Sequence, residues 1–305
     1  QNIETVLGPI QTSELGFTLS HEHVVASSAG IPHIYPEFIQ RTKSIQESID
    51  VLRKVKANGV DTIIDLTTMD LGRDINLLKQ VSKESGINII CATGTWRDIP
   101  RSFWSASIDS IKSLYVREIT QGIENTNIKA GIIKVANSDG VTQEGEIILR
   151  AAARAQIETG VPISTHTWAP KIGNEQIRIF LEEGVNLNRV YIGHSNDSVD
   201  TGYLKGIIEK GAWLGMDRYG QPGTPNWEKR TEILASLIQD GYGDKIMLGH
   251  DAVKLAIESE AERKRSNPDG YLFIKNKILP KLGELGVTKT QIQNLMVTNP
   301  YKFLS

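Results

Sequence analysis

His21, His23, Lys134, His166, His194 and Asp251 are the residues of this chain best suited to chemistry. Each closes, or lies in, a short apolar run that reads as a β-strand. Imidazole and carboxylate are the usual ligands of catalytic zinc and of related divalent ions. One histidine after an apolar run is more often a satisfied structural residue than a ligand. Here four of the chain's six histidines, with an aspartate, occupy such positions, which points to metal. His21-Glu22-His23 adds a local signal. Residues two apart on a strand point the same way, so both imidazoles face one side and Glu22 the other, toward a helical layer.

Lys134 lies between Ile133 and Val135, in a run that should be buried. Burial disfavours the ammonium form and lowers a lysine's pKa. Three readings compete: a buried ion pair, a Schiff-base nucleophile, or a neutral amine that takes up carbon dioxide to give a carbamate able to bridge two cations. The histidine-rich surroundings favour the third.

Eight strands, each followed by an amphipathic helix, would position these groups. The strands are expected at 17–23, 62–66, 88–93, 131–135, 162–166, 190–194, 213–217 and 246–251. Asn58-Gly59, Ser85-Gly86, Thr159-Gly160 and Lys210-Gly211 precede several of them as helix-stop signals. Ile45, Ile49, Leu52 and Val55 form one helical stripe; Ile147, Ile148, Ala151, Ala152 and Ala155 form another. This alternation predicts an α/β fold, a (β/α)8 TIM barrel in one domain over residues 1–305. An open, doubly wound sheet is the runner-up. The barrel is preferred because ligand-type residues end many different strands, where barrel active sites are built. The residues before about Leu15 are expected to form a small β addition.

The 34 basic and 36 acidic residues leave a net charge of −2, which attracts neither nucleic acid nor an anionic membrane. The basic cluster Arg263 to Arg265 reads as a solvated helix face. No apolar run approaches the roughly 20 residues needed to span a bilayer. No secretory signal pattern stands at Gln1, and no compartment is assigned. The lone Cys91 sits in an apolar run and reads as an inert buried thiol. No Gly-rich phosphate loop or Gly-x-Ser-x-Gly elbow is present, which argues against nucleotide cofactors and a serine nucleophile.

The chain resembles the phosphotriesterase family of the amidohydrolase superfamily, including its lactonase branch, from about Ile3 to the terminus. The resemblance is carried by Gly16-Phe17-Thr18-Leu19-Ser20-His21-Glu22-His23, Leu71-Gly72-Arg73-Asp74, Lys129-Ala130-Gly131-Ile132-Ile133-Lys134, Thr165-His166-Thr167, Ile192-Gly193-His194-Ser195 and Thr298-Asn299-Pro300. It implies a binuclear centre, zinc foremost, with cobalt, manganese or iron as alternatives. His21, His23 and Asp251 would hold the buried ion and His166 and His194 the exposed one. A carbamate on Lys134 and a hydroxide would bridge the two. It also implies that Asp251 takes up a proton, that Asp197 and Arg218 assist around it, and that the chain forms a homodimer. The competing readings are a helix cap for Asp197 and a strand-end ion pair with Asp217 or Asp197 for Arg218. Trp104, Phe103 and Tyr35 are the candidate dimer surface, with helix-layer packing as the alternative.

The implied substrate is a small-molecule ester, and the cues within the family divide. Asp217-Arg218-Tyr219-Gly220 and the short loop from Gln221 to Trp227 look lactonase-like. Ser27-Ser28-Ala29-Gly30 and Trp96 look like the phosphotriesterases proper. Trp96, Arg218, Tyr219 and Gly30 are the candidate substrate contacts, with Trp96 an apolar wall. The run from Ala252 to Ile257 matches neither branch; Lys254 reads as solvated. His250 should face away from the cluster, and His33 reads as an ordinary loop residue. Outside this class, a Schiff-base lyase using Lys134 and a non-catalytic metal-stabilised barrel are the alternatives.

Overall fold

The computed structural model describes residues 1–168, 170–252 and 267–305, so Lys254 and the cluster Arg263 to Arg265 lie outside the described residues. Two short strands, β1 (Asn2–Thr5) and β2 (Gly8–Gln11), pair antiparallel as the expected N-terminal addition. Eight further strands follow: β3 (Thr18–Glu22), β4 (Thr62–Asp65), β5 (Asn88–Gly94), β6 (Ile132–Ala136), β7 (Ile163–His166), β8 (Val190–Ile192), β9 (Trp213–Met216) and β10 (Ile246–Leu248). Each pairs in parallel with its sequence neighbour. The first and last are joined just past their ends, where Asp251 N–H donates to the His21 carbonyl (3.0 Å) and His23 N–H to the Ala252 carbonyl (2.9 Å). These bonds make the sheet a (β/α)8 barrel rather than an open sheet.

Side-chain alternation assigns every strand an inside and an outside. Ile132 of β6, Tyr191 of β8, Trp213 of β9 and Met247 of β10 pack with Ile64, Ile90 and Phe303 inside the barrel. Their neighbours Ile133, Val135, Val190, Ile192, Leu214, Met216, Ile246 and Leu248 pack outward against the helices. By the same alternation Lys134 follows Ile132 inward, and Asp217 follows Trp213. On β3 the pairing with β4 shifts register between Leu19 and Glu22. A bulge of this kind re-aims side chains. It lets Ser20 and His21, consecutive in sequence, both enter the interior network.

The helices behave as their stripes predict. Ile45, Ile49, Leu52 and Val55 are buried on Arg41–Ala57, as are Ile148, Ala151, Ala152 and Ala155 on Gln143–Thr159. Most strand ends shift by one residue from expectation, and two by more. β8 stops at Ile192 and β10 at Leu248, so His194 and Asp251 stand in the turns beyond them. There the chain leaves the ladder to bring their backbones into the left-handed region, at φ 57° and 52°. His33 belongs to a single helical turn, Ile31–Ile34, rather than a loop. Cys91 is buried, and burial pushes its thiol up to about 12, consistent with an inert group.

The close approach of β5 to β6 demands a glycine. Gly94 has φ +109°, and a Cβ there would lie 2.0 Å from the Lys134 carbonyl oxygen. Gly94→Ala should therefore destabilise the fold by about 3 kcal/mol or more, the range of strained and overpacked sites. Urea unfolding would read this directly, and an unchanged midpoint would contradict the packing described.

Candidate metal centre

Asp217 organises the site. Burial alone would raise its pKa, but His194 and His21 outweigh this and hold the carboxyl well below the usual range. Oδ2 lies 2.8 Å from His21 Nδ1 and accepts from the Tyr191 hydroxyl at 2.8 Å. Oδ1 lies 2.9 Å from His194 Nδ1 and accepts from His194 N–H at 2.7 Å. An ionised carboxylate only accepts, so both imidazoles carry their protons on Nδ1. Their Nε2 lone pairs are turned toward one another's space. Tyr191 also meets Ser20 (2.9 Å), and it reaches across the barrel only because position 215 is glycine, where a Cβ would lie 2.4 Å from its ring.

The remaining donors face the same space. His23 Nε2 lies 3.2 Å, and His21 Nε2 3.4 Å, from Asp251 Oδ1. His194 Nε2 is 3.8 Å from Asp251 Oδ2 and 2.8 Å from His166 Nδ1. His166 Nε2 is buried without a hydrogen-bond partner. Lys134 Nζ lies 3.2 Å from His21 Nε2. Burial, with Lys134 adding, pulls the His21 imidazole down to about 3, so it is neutral in water near pH 7. Burial pulls Lys134 down to about 8 against the opposing pull of Asp217 and Asp251. Asp251 is lowered despite burial, because His21, His23 and His194 surround it.

This donor set fits cations. Acceptor lone pairs face a carboxylate, two imidazole nitrogens, His194 Nε2 and His166 Nδ1, face each other at 2.8 Å, and no carboxylate of the described residues lies within ion-pairing distance of Lys134. His21, His23 and Asp251 alone bring three ligand atoms within 4.8 Å of one another. Asp217 is equally close to His21 and His194, but it occupies their Nδ1 sides, the position of an outer carboxylate that would orient them toward a metal. Thr67 does the same for His23, at 2.8 Å from Nδ1. The left-handed backbones of His194 and Asp251 agree, since such strain clusters at functional sites.

At the rim, Arg218 pairs with Asp197 (2.8 Å), and its Nε approaches Asp251 Oδ2 to 3.5 Å. Of the two partners expected for Arg218, Asp197 is the one found; Asp217 is committed to the histidines. Arg230 also holds Asp197, at 2.9 Å. Trp96 aims its indole N–H at His166 Nδ1 (3.5 Å). A cavity of about 440 Å³ opens beside the cluster, lined by Trp168, His194, Asp197, Arg218, Gln221 and Arg230. Tyr219 does not join it. Its ring is 2% exposed and packs in the outer core, its hydroxyl near Thr231. Gly30 caps the exposed turn Ile31–Ile34 and is not among the residues lining the cavity. His250 faces away as expected, held by buried Glu22 (2.6 Å) and by Ile274 N–H. Sequence reasoning missed the orienting role of Asp217, although counting inward from Trp213 in twos reaches it.

The phosphotriesterase family model matches residues 1–304, and the chain belongs to that family. It is 42% identical over 312 residues to the phosphotriesterase homology protein of Mycobacterium tuberculosis, covering 98% of this chain and 96% of that one. It is 37% identical over 304 residues to the aryldialkylphosphatase of Saccharolobus solfataricus, covering 97% of each. A more distant relative is the N-acetyltaurine hydrolase of Salmo salar, 27% identical over 348 residues, covering 99% of this chain and 97% of that protein.

Two outcomes are expected. Asp217→Asn should weaken metal affinity about 10- to 100-fold, as loss of an outer-shell orienting group does. Competition with a chelator measures this, and an unchanged affinity would deny Asp217 its role. Lys134 titrates near 8 folded and 10.5 unfolded. Between those values the unfolded chain holds the extra proton, so stability rises with pH, by up to about 3 kcal/mol. Denaturant unfolding of metal-free, bicarbonate-free protein at pH 8 and pH 10 should show this rise relative to Lys134→Met. Parallel profiles would mean that Lys134 is not buried as a free amine.

Proposed function

We propose that the chain, as one barrel domain, is a metal-dependent hydrolase that cleaves lactones or related esters and organophosphate triesters. The observation that carries this is the convergence of four imidazoles and Asp251 beside Lys134, with His166 Nδ1 turned to His194 Nε2 at 2.8 Å. Bound to these residues, two divalent ions, zinc foremost and otherwise cobalt, manganese or iron, would supply Lewis acidity and an acidified water. His21, His23 and Asp251 would hold one ion and His166 and His194 the other. Lys134 would join them as a carbamate formed from carbon dioxide.

Asp251 serves as proton acceptor as well as ligand. Its carboxylate meets Arg218 Nε at 3.5 Å, and Arg218 is itself fixed by Asp197, so Asp251 keeps one orientation while it handles the proton. Trp96 walls the His166 side and keeps water from the reacting group there. Tyr219 and Gly30 take no contact role in this reading, given their positions. The relative named aryldialkylphosphatase supports triester hydrolysis as the main activity, and the short loop from Gln221 to Trp227 supports lactone opening. We extend the proposal to a homodimer, supported by the roughly half-exposed Tyr35 and Trp104.

The test is kcat/KM of zinc- or cobalt-loaded protein on an acyl-homoserine lactone, a δ-lactone and an aryl dialkyl phosphate. Turnover of at least one is expected, and of none would remove the assignment. Lys134→Ala should lose most of its metal and at least about 100-fold in kcat/KM, beyond the cost of losing an outer-shell partner. Short carboxylic acids should partly restore both. Full activity in that variant would refute the bridging role and leave borohydride trapping as the check for a Schiff base.

A further inference from the structure

We propose that Arg97 is a specificity-determining residue that receives an anionic group, a carboxylate or sulfonate, carried by the substrate at the end remote from the reacting bond. The proposal rests on the hydrolase reading for the identity of the reacting bond, but the anion site stands on its own geometry.

Trp96 and Arg97 follow β5, and Trp168 follows β7. The Arg97 guanidinium carbon lies 5.1 Å from the Trp96 ring centroid and 4.9 Å from that of Trp168. The cation therefore lies against both indoles, whose negative ring faces attract it. Both indoles rest on His166: Trp96 edge-on at 5.7 Å between centroids, Trp168 stacked at 6.1 Å. Arg97 thus stands one aromatic layer from a candidate metal ligand, beside the cavity that Trp168 helps to line.

Its backbone is preset. Asp70, buried at the far side, accepts the N–H of Trp96 (3.0 Å) and of Asp98 (3.1 Å), the residues on either side of Arg97. Among the described residues the guanidinium has no counter-ion. No carboxylate of the described residues, Asp98 included, lies within ion-pairing distance of it. Arg218, which faces the same Trp168 ring at 5.4 Å, is neutralised by Asp197. Trp96 stands at 84° and Trp168 at 22° to the His166 ring, so the two indoles form a corner around the cation, and its guanidinium N–H groups donate to none of the described residues. A planar fork of uncommitted donors matches two oxygens of one anion. If Arg97 merely propped the two indoles apart, ligand charge would not matter to binding.

The experiment follows tryptophan fluorescence while metal-loaded protein is titrated with benzenesulfonate or with methyl phenyl sulfone, its uncharged analogue. The wild type should bind the sulfonate about tenfold more tightly, the scale of one charge-assisted contact. Arg97→Gln, its folding checked by melting temperature, should bind the two alike. Equal affinities in the wild type, or a preference that survives Arg97→Gln, would overturn the proposal. The titration needs no turnover, so failure of the hydrolase reading would show separately, as absence of ester hydrolysis by the same preparation.

Discussion

A buried carboxylate that accepts from two imidazoles is the constraint on which this site depends. Asp217 has lone pairs for about four donors, and it meets four: His21 Nδ1, His194 Nδ1, the His194 amide and the Tyr191 hydroxyl. Those groups come from β3, from β8 and from the turn after it. The carboxylate therefore ties distant parts of the barrel wall together and decides which nitrogen of each ring is left to bind. Were Asp217 neutral or absent, the rings would be free to change tautomer and turn, and the convergence at Asp251 and Lys134 would be lost.

The barrel supplies the rest by simple geometry. Inward positions recur every second residue, so Lys134 and His166 end up inside because Ile132 and Ser164 do. The bulge on β3 breaks this count once, and that exception lets Ser20 and His21 both join the network. Backbone strain appears where the count cannot deliver a candidate ligand. His194 and Asp251 stand beyond their strands with positive φ, held by the Asp217 contacts in one case and by the barrel-closing bond to His21 in the other.

The fold was largely legible in the sequence, since short β-branched runs separated by striped helices and Gly stops leave few alternatives. The convergence of the candidate ligands was legible too, because histidines at strand ends are costly to bury without a purpose. What escaped was relational. Asp217 reads locally as a neighbour of Arg218, and only the three-dimensional closure of the sheet shows that it serves His21, 196 residues away. Tyr219 follows Arg218 in sequence, yet strand-end geometry sends it to the outer core. The pairing of Arg97 with Trp96 and Trp168 joins two loops, and no periodicity within either foretells it.

The proposed chemistry requires that these side chains clasp a pair of ions around Lys134. Anomalous X-ray scattering at the zinc edge, from crystals of the zinc-loaded protein, tests it most directly. Two peaks are expected, one among His21, His23 and Asp251 and one beside His166 and His194, with density on Lys134 Nζ reaching both. No peak at the cluster, or a single ion remote from Lys134, would contradict it.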